Sequence, residues 1–407
     1  MLKNKVNKTI RSVLFVFLIL TGCMIQHGCT EFFPGRTRTL PLEFITIGAL
    51  LPLTGTDSDE GLRALNGLML AKEEINESGG VLGMMLDIIV LNDKGDEEYI
   101  IQQYDLLKEK DVAAIIGSCY SNATAALAKA AERDGIPVIS PSASDPDITA
   151  GRRNVFRAIF IDDYQADAAA YFAYNSLNAR TAVVLKNENF SSFARAADVF
   201  SESFRNNGGQ IIAVETFSGD AGIAGNAEFR RILGKYAGNT PDVLYCPEKF
   251  ISAAALVNTA HELGFADTFL LGSAAWDGIL SYVIHPGAMR NVFYSAHFSF
   301  DDPDEDAARF VRNYFRTFSQ MPLSGSAAAY TCVYLLADAV RRAGKTDADD
   351  VISAMKESDL EAITGRINFD ENNNPQPNIY FIQIKGGMYS AYQKFSLQPD
   401  GLPVGRR

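Results

Sequence analysis

Residues 112–142 read VAAIIGSCYSNATAALAKAAERDGIPVISPS, and their reading decides the fold. VAAIIG is a short apolar run rich in β-branched residues, which marks a buried strand. ATAALAKAAERDG has helical character and closes on a glycine. IPVISPS returns to a short apolar strand. Strand, helix and strand follow one another, and the strands are continuously apolar rather than alternating. That is the repeat of a parallel sheet covered on both faces.

The same alternation extends outward. FITIGALLPL (44–53) reads as a strand and GLRALNGLMLAKEEINESGG (61–80) as a helix. In that helix Leu65, Leu68, Met69, Lys72 and Ile75 stand three to four residues apart before a glycine stop. MLDIIVLND is the next strand and EEYIIQQYDLLKEK the next helix. Beyond residue 160 the pattern restarts: DDYQADAAAYFAYNSLNA, FARAADVFSESFRNNG, AEFRRILGKYAG and ISAAALVNTAHELGF read as helices. TAVVLK, QIIAVETF, PDVLYC and TFLLGSA read as strands between them. Two doubly wound sheets are therefore expected, followed by two helices, PDEDAARFVRNYFRTFSQ and GSAAAYTCVYLLADAVRRAGK. The tail (365–395) reads as a pair of strands around an Asn/Pro turn, ENNNPQP. Neither a low-complexity segment nor a short repeat interrupts the chain.

The 407 residues suffice for two domains. With 47% apolar and 21% charged residues the usage is ordinary for a globular chain. A net charge of -12 argues against an extended nucleic-acid surface. Lys3, Lys5, Lys8 and Arg11 precede the apolar core VLFVFLIL (13–20), which is far too short to cross a bilayer and reads as a secretory signal. LTGC (20–23) resembles the lipobox of bacterial lipoproteins. Residues 1–22 are then a signal peptide, Cys23 carries the lipid, and 23–43 form a tether. Removing those four basic residues from a chain of -12 leaves -16. Of the other cysteines, Cys29 lies in the tether. Cys119, Cys246 and Cys332 are expected as buried thiols, although an oxidising compartment would permit one disulfide.

Chemistry is sparse. A nucleophile elbow needs Gly-x-Ser/Cys-x-Gly, and GSCYSN has only the first glycine. His261, His285 and His297 have no sequence context linking them to that loop, and HELGF lacks the second histidine of a zinc helix. They read as surface or satisfied core residues. ESGGVLG (77–83) follows a helix and precedes a strand, the wrong order for a phosphate cradle, and reads as a helix stop and turn. No cofactor, metal or catalytic residue is implied. The loop GSCYSNAT does have the order strand, small loop, helix N-terminus, whose free amides and positive dipole end favour an anion. No Walker-type lysine accompanies it, so a single carboxylate suits it better than a triphosphate. SPSASDPD (140–147) ends the next strand at the same carboxyl edge, where ligands bind in doubly wound sheets. Ser121, Ser142 and Ser144 would then offer hydroxyls to one small acid. Simple capping and turn roles are the alternative.

IGALLPLTG, NGLMLAKEEINESGGVLG, LNDKGD, VAAIIGSCYSNAT, GIPVISPSASDPDIT and GRINFDENNNPQPNIYFIQIKGG occur in this order from residue 47 on. Together they resemble the type I periplasmic binding proteins, in particular the leucine/isoleucine/valine-binding receptors of ABC transporters, over residues 45–392. The resemblance implies an α/β fold of two Rossmann-like doubly wound lobes joined by three crossing hinge strands. Lobe 1 would comprise 44–160 and 299–370, and lobe 2 would comprise 161–298 and 371–395. It also implies that Cys119, Tyr120 and Ser121, with Ser142, Ala143 and Ser144, meet the ligand carboxylate, Ser121 and Ser144 being the side-chain donors.

The amino-group side departs from the family pattern. Ala274 stands where an acid is common, Glu60 where Tyr is common, and Phe190-Ser191 where Tyr-Gly is common. A buried ammonium needs a counter-charge, for which Glu60, Asp277 and Glu248 are candidates. Trp276 and Phe190 suggest an aromatic wall, and the loss at Ala274 makes an amine-free acid or an amide a competing ligand. The implied function is a lipid-anchored solute receptor of the periplasm or cell surface. It would capture an amino acid or other small carboxylate by lobe closure and deliver it to an ABC permease. A sensor of the same fold without transport is the alternative, and an enzyme would need a base near Ser121.

Overall fold

The computed structural model of the chain describes residues 43–55, 58–217, 226–375, 377–397 and 403–406. The signal peptide, Cys23 and the tether up to residue 42 lie outside the described residues. Among the described residues no helix is long and apolar enough to cross a membrane.

The first sheet is all parallel. It contains β1 (Phe44–Leu51), β2 (Met85–Asn92), β3 (Ala114–Gly117), β4 (Val138–Ser140) and β5 (Val155–Arg157) in the order β2-β1-β3-β4-β5. Helices α1 (Ser58–Glu77), α2 (Glu97–Lys108) and α3 (Ser121–Asp134) follow the first three strands. All residues of β3 and β4 are buried, as continuous apolar runs require. Asp96 caps α2 by accepting from the amides of Glu98 at 3.0 Å and Tyr99 at 2.7 Å. Gly135 ends α3 in the left-handed conformation, φ 74°.

The second half repeats this plan. α4 (Asp162–Tyr171) leads into β6 (Thr181–Asn187), then α5 (Ser191–Asn206), β7 (Gln210–Phe217), α6 (Asn226–Leu233), β8 (Val243–Cys246), α7 (Phe250–Glu262), β9 (Phe269–Gly272) and β10 (Val292–Ala296). Its parallel strands run β7-β6-β8-β9-β10. The sequence order therefore reverses beside the first strand of each sheet, between β1 and β3 and between β6 and β8. Those reversals are the topological switch points at which ligands bind in such sheets.

The chain then returns to the first sheet. α8 (Glu305–Phe318), α9 (Ser324–Ala343), α10 (Ala348–Lys356) and the hairpin β11 (Asp359–Ala362)–β12 (Gly365–Asn368) join the core beneath α1. α9 is buried along most of its length. It lies so close to α1 that a Cβ on Gly67 would come within 2.1 Å of the Ser326 carbonyl. Finally β13 (Ile379–Lys385) adds antiparallel to β10, β14 (Met388–Leu397) to β13, and β15 (Pro403–Arg406) to β14.

The chain passes between the two sheets three times: after β5, after β10 and after β12. Each passage is pinned. Gln165, just past the first, joins α4 to β10 by accepting from the Ser295 hydroxyl at 2.8 Å. At the second, Asp302 accepts from the Tyr380 hydroxyl and from Lys394 Nζ at 2.8 Å. At the third, Asn373 Nδ2 donates to the carbonyls of Arg152 at 2.7 Å and Val155 at 3.0 Å. The Asn/Pro segment therefore does not pair β12 with β13 as a hairpin. It carries the chain from β12 in one sheet to β13 in the other. The hairpin lies one strand later, where Gly386 (φ 61°) and Gly387 (φ 77°) turn β13 into β14, since paired positive φ values match strand twist and favour glycine.

Candidate ligand-binding site

A cavity of about 280 Å³ lies where the carboxyl edges of the two sheets face each other. Its first wall follows β3 and β4. Gly117 ends β3 at φ 142°, and a Cβ there would meet the Leu50 carbonyl at 2.2 Å, so only glycine lets the loop turn here. The two loops are stapled together from below. Ser140 Oγ donates to Ser118 O at 2.9 Å and accepts from the Ala143 amide at 3.0 Å, while Ser142 Oγ donates to Cys119 O at 3.1 Å. Tyr120 precedes α3 without providing a side-chain cap. The first-turn amides of α3 thus stand at the cavity beside Ser121 and Asn122, both of which line it.

The second wall follows β6, β8 and β9: Phe190, Ser192 and Phe193 at the start of α5, Lys249 and Phe250 at the start of α7, and Ser273–Ala275. Lys249 Nζ stands 5.3 Å from the ring centres of both Tyr120 and Phe190, one from each wall. At one end the walls are joined. Asp277, after β9, accepts from the Ser324 amide of α9 at 2.7 Å and from the Tyr294 hydroxyl at 3.1 Å. Its carbonyl accepts from Arg63 of α1 at 3.3 Å, and Arg63 also lies 3.7 Å from Glu60. Burial alone would lower the pKa of Arg63, but Glu60 and Asp277 outweigh it and hold it above the ordinary value.

The floor is set by the first passage. Arg157 is fully buried and reaches back under the Ser142–Ser144 loop. It donates to the carbonyls of Ala143 at 2.8 Å and Asp145 at 2.7 Å, and to Thr149 Oγ1 at 3.1 Å. Burial lowers its pKa to about 10, so it remains a cation at neutral pH. Asp162 opens α4, lines the cavity and is 3% exposed. Burial raises its pKa to about 7, with Ser144 and Arg157 drawing it back down. Gln165 Nε2 donates to Asp162 Oδ1 at 3.2 Å, and Gln165 Oε1 accepts from the Ala274 amide at 2.6 Å. His297 lines the same side, its ring centre 3.8 Å from that of Phe160, and burial lowers its pKa to about 3. It is therefore a neutral imidazole.

Paired carboxyl edges around one cavity, with an uncapped helix N-terminus on one side, suit a small anionic solute held between two lobes. Residues 45–388 match the family described as periplasmic binding protein. The chain belongs to that family. It is 26% identical over 332 residues to the Leu/Ile/Val-binding protein BraC3 of Rhizobium johnstonii, covering 80% of this chain and 88% of that protein. It is 24% identical over 336 residues to the leucine-, isoleucine-, valine-, threonine- and alanine-binding protein of Pseudomonas aeruginosa, with 82% and 87% covered. Among solved structures, the branched-chain amino acid transporter substrate-binding protein LivJ of Streptococcus pneumoniae, in complex with isoleucine, superposes with a TM-score of 0.77 at 27% identity. That likeness covers 86% of this chain and 99% of that one. The leucine-binding protein LivK of Thermotoga maritima gives 0.77 at 26% identity, with 88% and 100% covered.

Against this family frame the expected residues fall into two groups. Glu60, Cys119, Tyr120, Ser121, Ser142, Ser144, Phe190, Ala274 and Asp277 line the cavity. Ala143, Ser191, Glu248 and Trp276 do not. Ala143 is buried behind the loop, 1% exposed. Ser191 points outward and its neighbour Ser192 takes the wall position. Glu248 is buried, accepting from Asn187 Nδ2 at 2.5 Å and from the Lys249 amide at 2.9 Å. The Trp276 indole is fully buried in the second core, with Nε1 donating to Cys246 O at 2.9 Å, and it fills the space that Gly272 leaves.

Sequence reasoning missed Asp162, Gln165, Lys249, Phe250, His297 and Ser324. Lys249 carried a usable signal, since it stands three residues past the end of β8 at a carboxyl edge. Asp162 and His297 sit just beyond passages whose course the sequence does not show, and Ser324 opens α9 one helix after the second passage. Cys119, Cys246 and Cys332 are free and buried, and burial pushes each thiol up.

Proposed function

We propose that the protein is the lipid-anchored solute receptor of an ABC transporter. It captures a small carboxylate-bearing solute by closing lobe 1 (44–160 and 299–370) on lobe 2 (161–298 and 371–395), and hands the closed form to a membrane permease. The family is extracytoplasmic, and the lipobox-like LTGC supports anchoring through Cys23 at the periplasmic or outer face of a membrane. The observation that carries the reading is the cavity itself, lined from both sheets at their switch points, with the amides of α3 and the Ser121 and Ser144 hydroxyls on one side. A carboxylate there gains charge-assisted hydrogen bonds, each contributing roughly 1.5–3 kcal/mol. The names of the relatives, for leucine, isoleucine and valine, support amino acids as the first candidates.

A second reading is an aromatic acid without an amine. Tyr120, Phe190, Phe193 and Phe250 ring the cavity, and Ala274 supplies no charge. A thermal-shift screen of the mature protein against amino acids, aromatic acids, amides and short dicarboxylates tests the function. A true cargo at a hundred times its Kd stabilises the fold by about 2.7 kcal/mol, and a flat response to every carboxylate would sink the reading.

A further inference from the structure

Helix α8 (Glu305–Phe318) divides its charge along its length. Asp304 caps it and Glu305 and Asp306 fill its first turn. From Ala307 to Ala337 the chain then carries no acidic residue, although its net charge is -12. Ala307, Phe310 and Tyr314 are buried in the core beneath α1. Arg309, Arg312 and Arg316 follow at spacings of three and four and are exposed on the solvent side. Beside them Phe315 is 53% exposed, and Met321, just past the helix, is 43% exposed.

Arg309 pairs with Asp306. Arg312 and Arg316 make no ion pair among the described residues, and Arg316 donates to the Asn313 side chain at 3.3 Å. A single exposed apolar residue is ordinary, and a cation in the last turn suits the helix dipole. An aromatic ring and a thioether beside unpaired guanidinium groups, on an acidic molecule, form a surface of another kind. The guanidinium fork matches phosphate oxygens, while aromatic and other apolar side chains sink to the boundary between headgroups and acyl chains.

The sequence brings such a surface within reach. The twenty residues after Cys23 lead to Glu43, where the described fold begins. An irregular chain of that length spans roughly 25 Å on average and at most about 70 Å. Salt confines the attraction of exposed charges to about 8–10 Å. Two or three arginines therefore act only on a body already held at the bilayer, and the acidic remainder of that body is turned away from anionic lipid.

We propose that the outer face of α8 seats the first lobe on an anionic phospholipid bilayer, with Arg312 and Arg316 on headgroup phosphates and Phe315 and Met321 at the acyl boundary. This rests on the lipid-anchored reading and fixes the orientation in which the tethered receptor meets its permease. None of these four residues lines the ligand cavity.

The test places a fluorescent reporter in the seat. Trp276 is the single tryptophan and is fully buried, so Phe315→Trp adds an indole whose emission reports its own surroundings. The mature chain, with Cys23→Ser and an N-terminal histidine tag, is held on vesicles by nickel-chelating lipid. The vesicles are phosphatidylcholine alone or mixed with an equal part of phosphatidylglycerol. On the mixed vesicles the added emission should shift to the blue and be quenched by lipids brominated on their upper acyl carbons. Adding Arg312→Gln and Arg316→Gln should lower the ratio of seated to free protein about 30-fold. Salt at about 1 M, where screening reaches about 3 Å, should abolish the quenching. The melting temperature should stay unchanged in the arginine variant, because both side chains are exposed.

An indole that emits alike on both vesicles, or quenching that survives loss of both arginines, would overturn the seat. So would loss of solute uptake by cells carrying the arginine variant when the indole is unquenched on vesicles, which would assign this face to the permease. Because the tag holds the protein, these outcomes do not depend on lipidation. The mass of the N-terminal peptide of membrane-extracted protein tests the anchor separately.

Discussion

Ser140 and Ser142 commit their hydroxyls to the backbone of the neighbouring loop, whereas Ser121 and Ser144 stand at the cavity face. Four similar residues thus split into two whose hydroxyls build the wall and two that line the cavity. Replacing Ser121 by Ala should weaken a carboxylate-bearing ligand by about tenfold or more, the loss of one charge-assisted bond. The melting temperature of the free protein should barely move, because Ser121 is half-buried at a helix start. An affinity within twofold of the wild type would remove Ser121 from the site. The order strand, loop, helix made Ser121 legible in the sequence. Trp276 was less so. An aromatic residue beyond a carboxyl edge can turn to the cavity or to the core, and the space beside Gly272 decides for the core. That space depends on a glycine four residues away and on the packing of the second sheet, which spacing alone does not reveal.

At the scale of elements, the βα alternation was legible throughout, because parallel strands buried on both faces must be apolar without interruption. The Asn/Pro segment was not. Asn373 and Asn374 look like hairpin turn residues, and Asn373 does adopt φ 59°. The residue, however, is 2% exposed, and its side-chain amide holds two backbone carbonyls of the first lobe, more than two hundred residues earlier in sequence. A local signal for a turn was correct, and its long-range use was invisible. Asn373→Ala would leave both the Arg152 and Val155 carbonyls without this donor. A loss of about 1–3 kcal/mol in urea unfolding is expected. A change below about 0.5 kcal/mol would mean that the third passage is held by other contacts, Asn374 with Thr149 foremost at 2.8 Å.

For the whole molecule, the decisive contacts are those that span the gap. Arg63 and Ser324 come from the first lobe and both bind Asp277 of the second, across sequence separations of 214 and 47 residues. No pattern in the sequence links these three residues, since they meet only once both lobes have folded and faced each other. Such contacts favour the closed arrangement even without cargo. The apparent affinity of a receptor that binds ligand in its closed form scales with the closed fraction. Arg63→Met keeps the aliphatic stem on α1 but removes the bond to the Asp277 carbonyl. With about 1 kcal/mol lost from the closed state, the closed-to-open ratio falls about fivefold. Ligand affinity should then weaken by up to about fivefold, while the radius of gyration of the free protein, measured by small-angle scattering, increases. Arg63 does not line the cavity, so direct contact with the ligand does not account for such a loss. If both affinity and scattering radius stayed at wild-type values, the Arg63–Asp277 bond would be a bystander, and the bias toward closure would rest on the Ser324 amide and on Lys249 between its two rings.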